Sequence, residues 1–188
     1  MNDDRGPVLL ALARASIASA LGQTCFADQS APWLREKAAC FVTLKQGGEL
    51  RGCVGHIEPR HSLLEAVTTT ARAAAFEDPR FQPLSASELS ITRIEVSLLS
   101  ALEPMAALSE AEALRNIRPH VDGLLLESGH NRGIFLPQVW GHAPDARDFL
   151  GLLKLKAGLP PNSWSDEIRL YRFQVAKCSE PEIERTVH

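Results

Sequence analysis

Residues 39–57, ACFVTLK-QGG-ELRGCVGHI, constrain the fold more than any other part of the chain. Apolar side chains alternate on both sides of a glycine pair, the pattern of a β-hairpin. With Gln46, Gly47 and Gly48 as a three-residue loop, Lys45 faces Glu49, Leu44 faces Leu50, Val42 faces Gly52 and Cys40 faces Val54. One face is then coherently apolar and calls for helices packed on it. The other face sets Thr43 across from Arg51 and Phe41 across from Cys53. A two-residue Gly47-Gly48 loop would mix Val42 and Leu44 with Arg51 and Cys53, so the longer loop is the expected one.

The remaining elements follow from periodicity and caps. Leu9, Leu12, Ile17 and Leu21 fall at helical spacing over residues 8–21, between Pro7 and Gly22. Ser62 and Glu65 make a capping-box pattern for a second helix running to about Ala75, and Asp78-Pro79-Arg80 breaks it. A short helix at SASEL, a strand at ITRIEVSLLS and a capped helix at SEAEALRNI come next. VDGLLLES and GIFLP read as strands around the loop SGHNRG. ARDFLGLLKLKAG reads as a helix with Asp145 as N-cap and Gly158 just past its end, and IRLYRFQVAKC as the strand that closes the sheet. Strands and helices interleave without repeats or long linkers, which predicts one α+β domain over residues 1–188, a mostly antiparallel sheet with flanking helices.

Composition narrows the function classes. The 188 residues carry a net charge of -3 with pI near 6.1, so no broad cationic surface for nucleic acid or anionic membrane is expected. The N-terminus is acidic before its apolar run and Arg14 interrupts that run, unlike a signal peptide, and no apolar stretch approaches membrane-spanning length. A cytoplasmic protein is the expectation. Its four cysteines, Cys25, Cys40, Cys53 and Cys178, would be reduced there, and their spacing fits neither a CxxC pair nor a zinc ribbon.

Four readings compete for LRGCVGHIEP, residues 50–59. In the first, Gly52 and Gly55 permit close packing and Cys53 is a small hydrophobe. In the second, Cys53 is a thiolate favoured by Arg51 on the same strand face, with His56 as base only if a bulge at Gly55 turns it round. In the third, Cys53, His56, Glu58 and His61 supply metal ligands, but the HxE lacks the downstream PCxxC of zinc deaminases. In the fourth, RGCVG cradles phosphate, but it has no Walker lysine. No metal or cofactor is expected. Trp33, Trp140 and Trp164 read as packing residues, and Glu95 as a solvent-facing strand position unless its face is a cleft.

LRGCVG, AFEDPRF, ITRIEVSLLS, GLLLESG, GIFLPQV and KAGLPPNSW resemble, in this order, segments of the AMMECR family, in particular the prokaryotic branch called AmmeMemoRadiSam system protein A. The resemblance implies an α+β fold of two unequal lobes with the cysteine motif, at residues 50–55, lining a cleft between them. It also implies a system with a Memo-family protein and a radical SAM protein as partners. Arg51, Gly52, Cys53 and Gly55 match its signature motif, Glu95 and Ser97 its E-x-S strand, and Leu136, Pro137 and Gln138 its LPQ turn. This chain has Lys154 where many relatives carry cysteine, and Asp122 where histidine is expected. Arg51, Cys53, His56 and Glu95 are therefore the catalytic candidates, with Gly52, Gly55, Ser97, Pro137 and Gln138 shaping the cleft. The expected role is binding or modifying a small molecule or partner peptide. A non-catalytic adaptor and, more weakly supported, an RNA-associated protein are the alternatives.

Overall fold

The computed structural model describes residues 5–143 and 145–181, which form two compact units: residues 5–99 with 176–181, and residues 100–175. The first contains α1 (Arg5–Ala20), β1 (Ala39–Gln46), β2 (Glu49–Gly55), α2 (Leu63–Phe76), the short α3 (Ala86–Leu89), β3 (Arg93–Leu99) and β8 (Val175–Ser179). Its four strands lie in the order β2-β1-β3-β8, with β1 antiparallel to both neighbours. Cys40, Val42 and Leu44 of β1 and Ile94 and Val96 of β3 are buried together with Leu9, Leu12 and Ile17 of α1 and Leu63, Val67 and Ala74 of α2. The expected apolar face is thus roofed by two helices. Ser62 caps α2 by accepting from the Glu65 N–H at 3.3 Å. The Glu65 carboxylate turns to His61 instead of completing the box.

The hairpin reaches its apolar face by a different register from the one expected. Gly47 and Gly48, at φ +57° and +87°, form the loop by themselves, and Gln46 pairs with Glu49 and Lys45 with Leu50. A β-bulge then inserts Arg51, so that Leu44 faces Gly52, Thr43 faces Cys53 and Val42 faces Val54. The mixing that argues against the short loop is removed by the extra residue, because a one-residue offset restores the alternation. Arg51 leaves the strand row, and Leu50, expected in the apolar face, is exposed.

The second unit holds β4 (Glu103–Met105), α4 (Glu110–Asn116), β5 (Gly123–Ser128), β6 (Asn131–Phe135), α5 (Ala146–Lys156) and β7 (Arg169–Phe173). Its antiparallel sheet has the order β4-β7-β5-β6. The expected loop SGHNRG shrinks to Gly129 and His130, since Asn131 already pairs with Ser128. The expected last strand divides at Gln174 into β7 and β8, one in each sheet. Trp140 stacks on Phe149 at 3.9 Å between ring centroids and donates to the Asp122 carbonyl at 2.7 Å. Both departures from the family pattern are buried and paired. The Asp122 carboxylate accepts from Arg118 at 2.6 Å, and the Lys154 ammonium donates to Glu110 at 2.6 Å and to the Pro161 carbonyl at 3.3 Å. Among the described residues no helix is long and apolar enough to cross a membrane.

Candidate functional site

Cross-strand pairing gathers four motif residues on the face of the first sheet that points away from the helices. Thr43 pairs with Cys53 on one side and Glu95 on the other, and Phe41 pairs with Gly55 and Ser97. Directly paired residues share a face, so Cys53-Thr43-Glu95 and Gly55-Phe41-Ser97 form adjacent rows. Three consecutive strands at the usual spacing put the Cys53 and Glu95 backbones about 10 Å apart, with Thr43 between them. The Thr43 hydroxyl donates to the Cys53 sulfur at 3.3 Å.

Close packing explains both glycines. A Cβ on Gly52 would collide with the Ala74 carbonyl of α2, and one on Gly55 would enter the Phe41 ring and lie 2.7 Å from the Cys40 carbonyl oxygen. Strand β2 therefore touches α2 backbone to backbone, and the Phe41 ring occupies the space a side chain at Gly55 would need. Cys53, between these contacts, is half-buried.

Strand β2 is a sheet edge, and the turn Asp78-Pro79-Arg80 covers it. The Asp78 carboxylate accepts the Cys53 N–H at 2.9 Å, and the Arg80 guanidinium donates to the Cys53 carbonyl at 3.2 Å. Both main-chain groups that the edge leaves open at Cys53 are thereby satisfied, and exposed edges without such cover pair with other chains. Arg80 also holds the Asp78 carboxylate at 2.7 Å. These contacts, with Arg80's foremost, outweigh burial and keep Asp78 far below the usual carboxylate range. In the sequence this turn signals a helix break and lies within the AFEDPRF segment of the resemblance, but neither signal predicts its contacts with Cys53.

Arg51 makes a bidentate pair with Glu88 of α3, Nε to Oε1 at 2.9 Å and Nη2 to Oε2 at 3.3 Å. That bond, helped by the Ser85 N–H and hydroxyl, draws the Glu88 pKa down to about 2. The remaining nitrogen, Nη1, is buried without a hydrogen-bond partner among the described residues, as is Nε2 of His56. Buried polar atoms are nearly always paired, and an orphan costs about 1–3 kcal/mol. Both orphans flank the same short motif.

Glu95 is not the solvent-facing residue expected from alternation. It is 5% exposed and accepts from Lys45 at 2.9 Å, Lys177 at 3.0 Å and the Ser179 hydroxyl at 3.2 Å. Burial pushes its carboxyl up, but the two lysines together outweigh this and hold it below the ordinary value. Glu95 is thus an ionised acceptor at neutral pH, and its two lysines disfavour its protonation.

His56 lies just past β2, its N–H bonded to the Cys40 carbonyl at 3.1 Å. It lines a pocket of about 450 Å³ with Ile57, Glu58, Arg60, His61 and Thr69 of α2, to which Cys53 contributes nothing. Burial first, then the charges of His61 and Arg60, push its imidazole below the ordinary range. Among the described residues, no three His, Cys, Asp or Glu side chains are grouped so as to hold a metal ion. Pro137 and Gln138 open a short 3-10 helix, Pro137–Gly141, in the second unit, with Gln138 exposed.

The AMMECR1 family model matches residues 10–178. A Methanothermobacter thermautotrophicus protein is 41% identical over 93% of both chains. Another, from Methanocaldococcus jannaschii, is 38% identical over 95% of this chain and 92% of its own. The crystal structure of uncharacterized protein PH0010 from Pyrococcus horikoshii superposes with a TM-score of 0.84 at 34% identity, covering 97% of this chain and 94% of the other.

Proposed function

Because the chain belongs to the AMMECR1 family, we propose that it serves as the accessory protein of an AmmeMemoRadiSam system, acting with a Memo-family and a radical SAM protein. In this reading the face bearing Cys53 binds or modifies a small molecule or a segment of a partner. The observation that carries it is the way Cys53 is held: its backbone is fixed by Asp78 and Arg80, its sulfur accepts from Thr43, and its side chain is half-exposed. A thiol fixed in this way is pre-organised for a contact that a mobile one would make less well. Cys53 is the contacting or reacting atom, and Glu95 is the nearest carboxylate in its row. Arg51 acts indirectly by anchoring the bulge to Glu88, and His56 serves the neighbouring pocket.

A non-catalytic adaptor is favoured by a separate observation. Packing alone accounts for Gly52 and Gly55, and edge cover for Asp78 and Arg80, so the motif needs no reaction to explain it. Affinity capture of the tagged chain from its own cell tests the shared premise. Both partners should co-purify, and Cys53→Ser should reduce their recovery if the sulfur makes the contact. Capture dominated by RNA, with neither partner present, would refute the assignment.

A further inference from the structure

The pocket between α2 and the loop after β2 is set apart from Cys53, and nothing about it depends on the partner assignment. We propose that it binds the phosphate group of a small molecule, held by His56, Arg60 and His61. At about 450 Å³ it has the size of a small-ligand site, and its lining combines the apolar Ile57 with the polar side chains of His56, Glu58, Arg60, His61 and Thr69.

Its basic side chains are partly open to solvent. Arg60, with 74% of its side chain exposed, donates from Nε to Glu58 at 2.6 Å across Pro59 and also reaches that oxygen through Nη2, while His61 stands 3.2 Å from the Glu65 carboxylate with both side chains about half exposed. Exposed pairs of this kind contribute little, so a dianion with three acceptor oxygens competes well against a single carboxylate for Arg60. His56 is held differently. Its Nε2 is buried without a hydrogen-bond partner among the described residues, and with its one proton on Nδ1 the neutral imidazole can donate from that nitrogen.

The charged groups around His56 are Glu58, Arg60 and His61 of its own loop and Glu65 of α2, while Glu36 and Lys37 adjoin Ser62 through the Lys37–Ser62 bridge. Repulsion from His61 and Arg60 contributes to the weak basicity of His56. A bound phosphate dianion reverses that contribution, so occupancy and protonation of His56 reinforce each other.

The test follows the imidazole resonances by NMR during titration with inorganic phosphate and phenyl phosphate, with sodium acetate at matched ionic strength as the comparison. Saturable shifts at His56 and His61, a rise in the His56 titration midpoint, and His120, His130 and His142 left in place are expected. Arg60→Gln should weaken binding about tenfold, the loss of one charge-assisted contact, while leaving the amide spectrum unchanged elsewhere. Phenyl phosphate binding more tightly than inorganic phosphate would assign Ile57 to the organic part. Shifts that never saturate, that acetate reproduces, or that persist at full strength in Arg60→Gln would overturn the proposal.

Discussion

Gly52→Ala is the substitution for which the structure makes the strongest demand. The added Cβ would stand less than 3.0 Å from the Ala74 carbonyl oxygen and 3.2 Å from its carbon. Both belong to the backbone of α2, so no rotamer change relieves the overlap. The helix must move away from β2 by about 1 Å to restore ordinary contact distances. Moving it disturbs Leu63, Ala66, Val67, Ala71 and Ala74, all buried against the sheet. Overpacking against a rigid neighbour sits at the upper end of its usual range, about 3 kcal/mol, which for a chain of this size lowers Tm by roughly 6–12 °C. Gly48→Ala is the internal comparison. It meets nothing within 4 Å but must adopt φ +87°, a strain of about 1–2 kcal/mol. Thermal unfolding followed by circular dichroism should rank Gly52→Ala well below Gly48→Ala. If Gly52→Ala melts at or above Gly48→Ala, the backbone contact between β2 and α2 is not as described.

Other consequences are equally direct. Glu88 is drawn from 4.5 down to about 2 and Asp78 is held well below its ordinary 3.8, so each contributes stability that is complete above its unfolded-state value and is lost as pH falls through its folded one. Arg51→Gln should flatten that acid limb in urea titrations across pH and cost about 1 kcal/mol at neutral pH, whereas a limb of unchanged slope would contradict the Arg51–Glu88 pairing. Glu95→Gln should lower the unfolding free energy from urea titration by about 2 kcal/mol, below the roughly 3–5 kcal/mol of a fully buried broken pair because Lys45 and Lys177, at 29% and 52% exposure, can turn to water. A neutral result would mean that the lysines do not depend on Glu95. Elemental analysis of the purified chain should find no stoichiometric zinc or iron, and one tightly bound ion lost on Cys53→Ala would reverse that expectation.

Much of this fold is legible in the sequence because its helices and strands carry local signals: Ser62, Ser109 and Asp145 accept the cap bonds that their positions predict. The hairpin shows where legibility stops. Alternation identifies which residues share the apolar face, but it does not distinguish a three-residue loop from a two-residue loop followed by a bulge at Arg51. The two arrangements give the same face to Cys53 and differ in its cross-strand partner and in where Leu50 and Arg51 go. Glu95 fails differently, since its polarity suggests solvent while its partners Lys45 and Lys177 lie on other strands, one of them far along the chain. The grip of Asp78 and Arg80 on Cys53 is also invisible locally, because it joins a turn to a strand edge 25 and 27 residues away.

Mass-spectrometric mapping of limited alkylation in the native chain tests most directly whether Cys53 is open to a ligand or partner. Cys40 is fully buried, with its thiol pushed up to about 11, and burial also raises the half-buried Cys178. Cys25 is exposed and should label quickly without consequence for the site. The account predicts that Cys53 labels ahead of Cys178 and Cys40 while the fold persists, since thiolate fraction and access act together. Labelling of Cys53 only after unfolding, at the pace of Cys40, would contradict it and leave RGCVG as a packing motif alone.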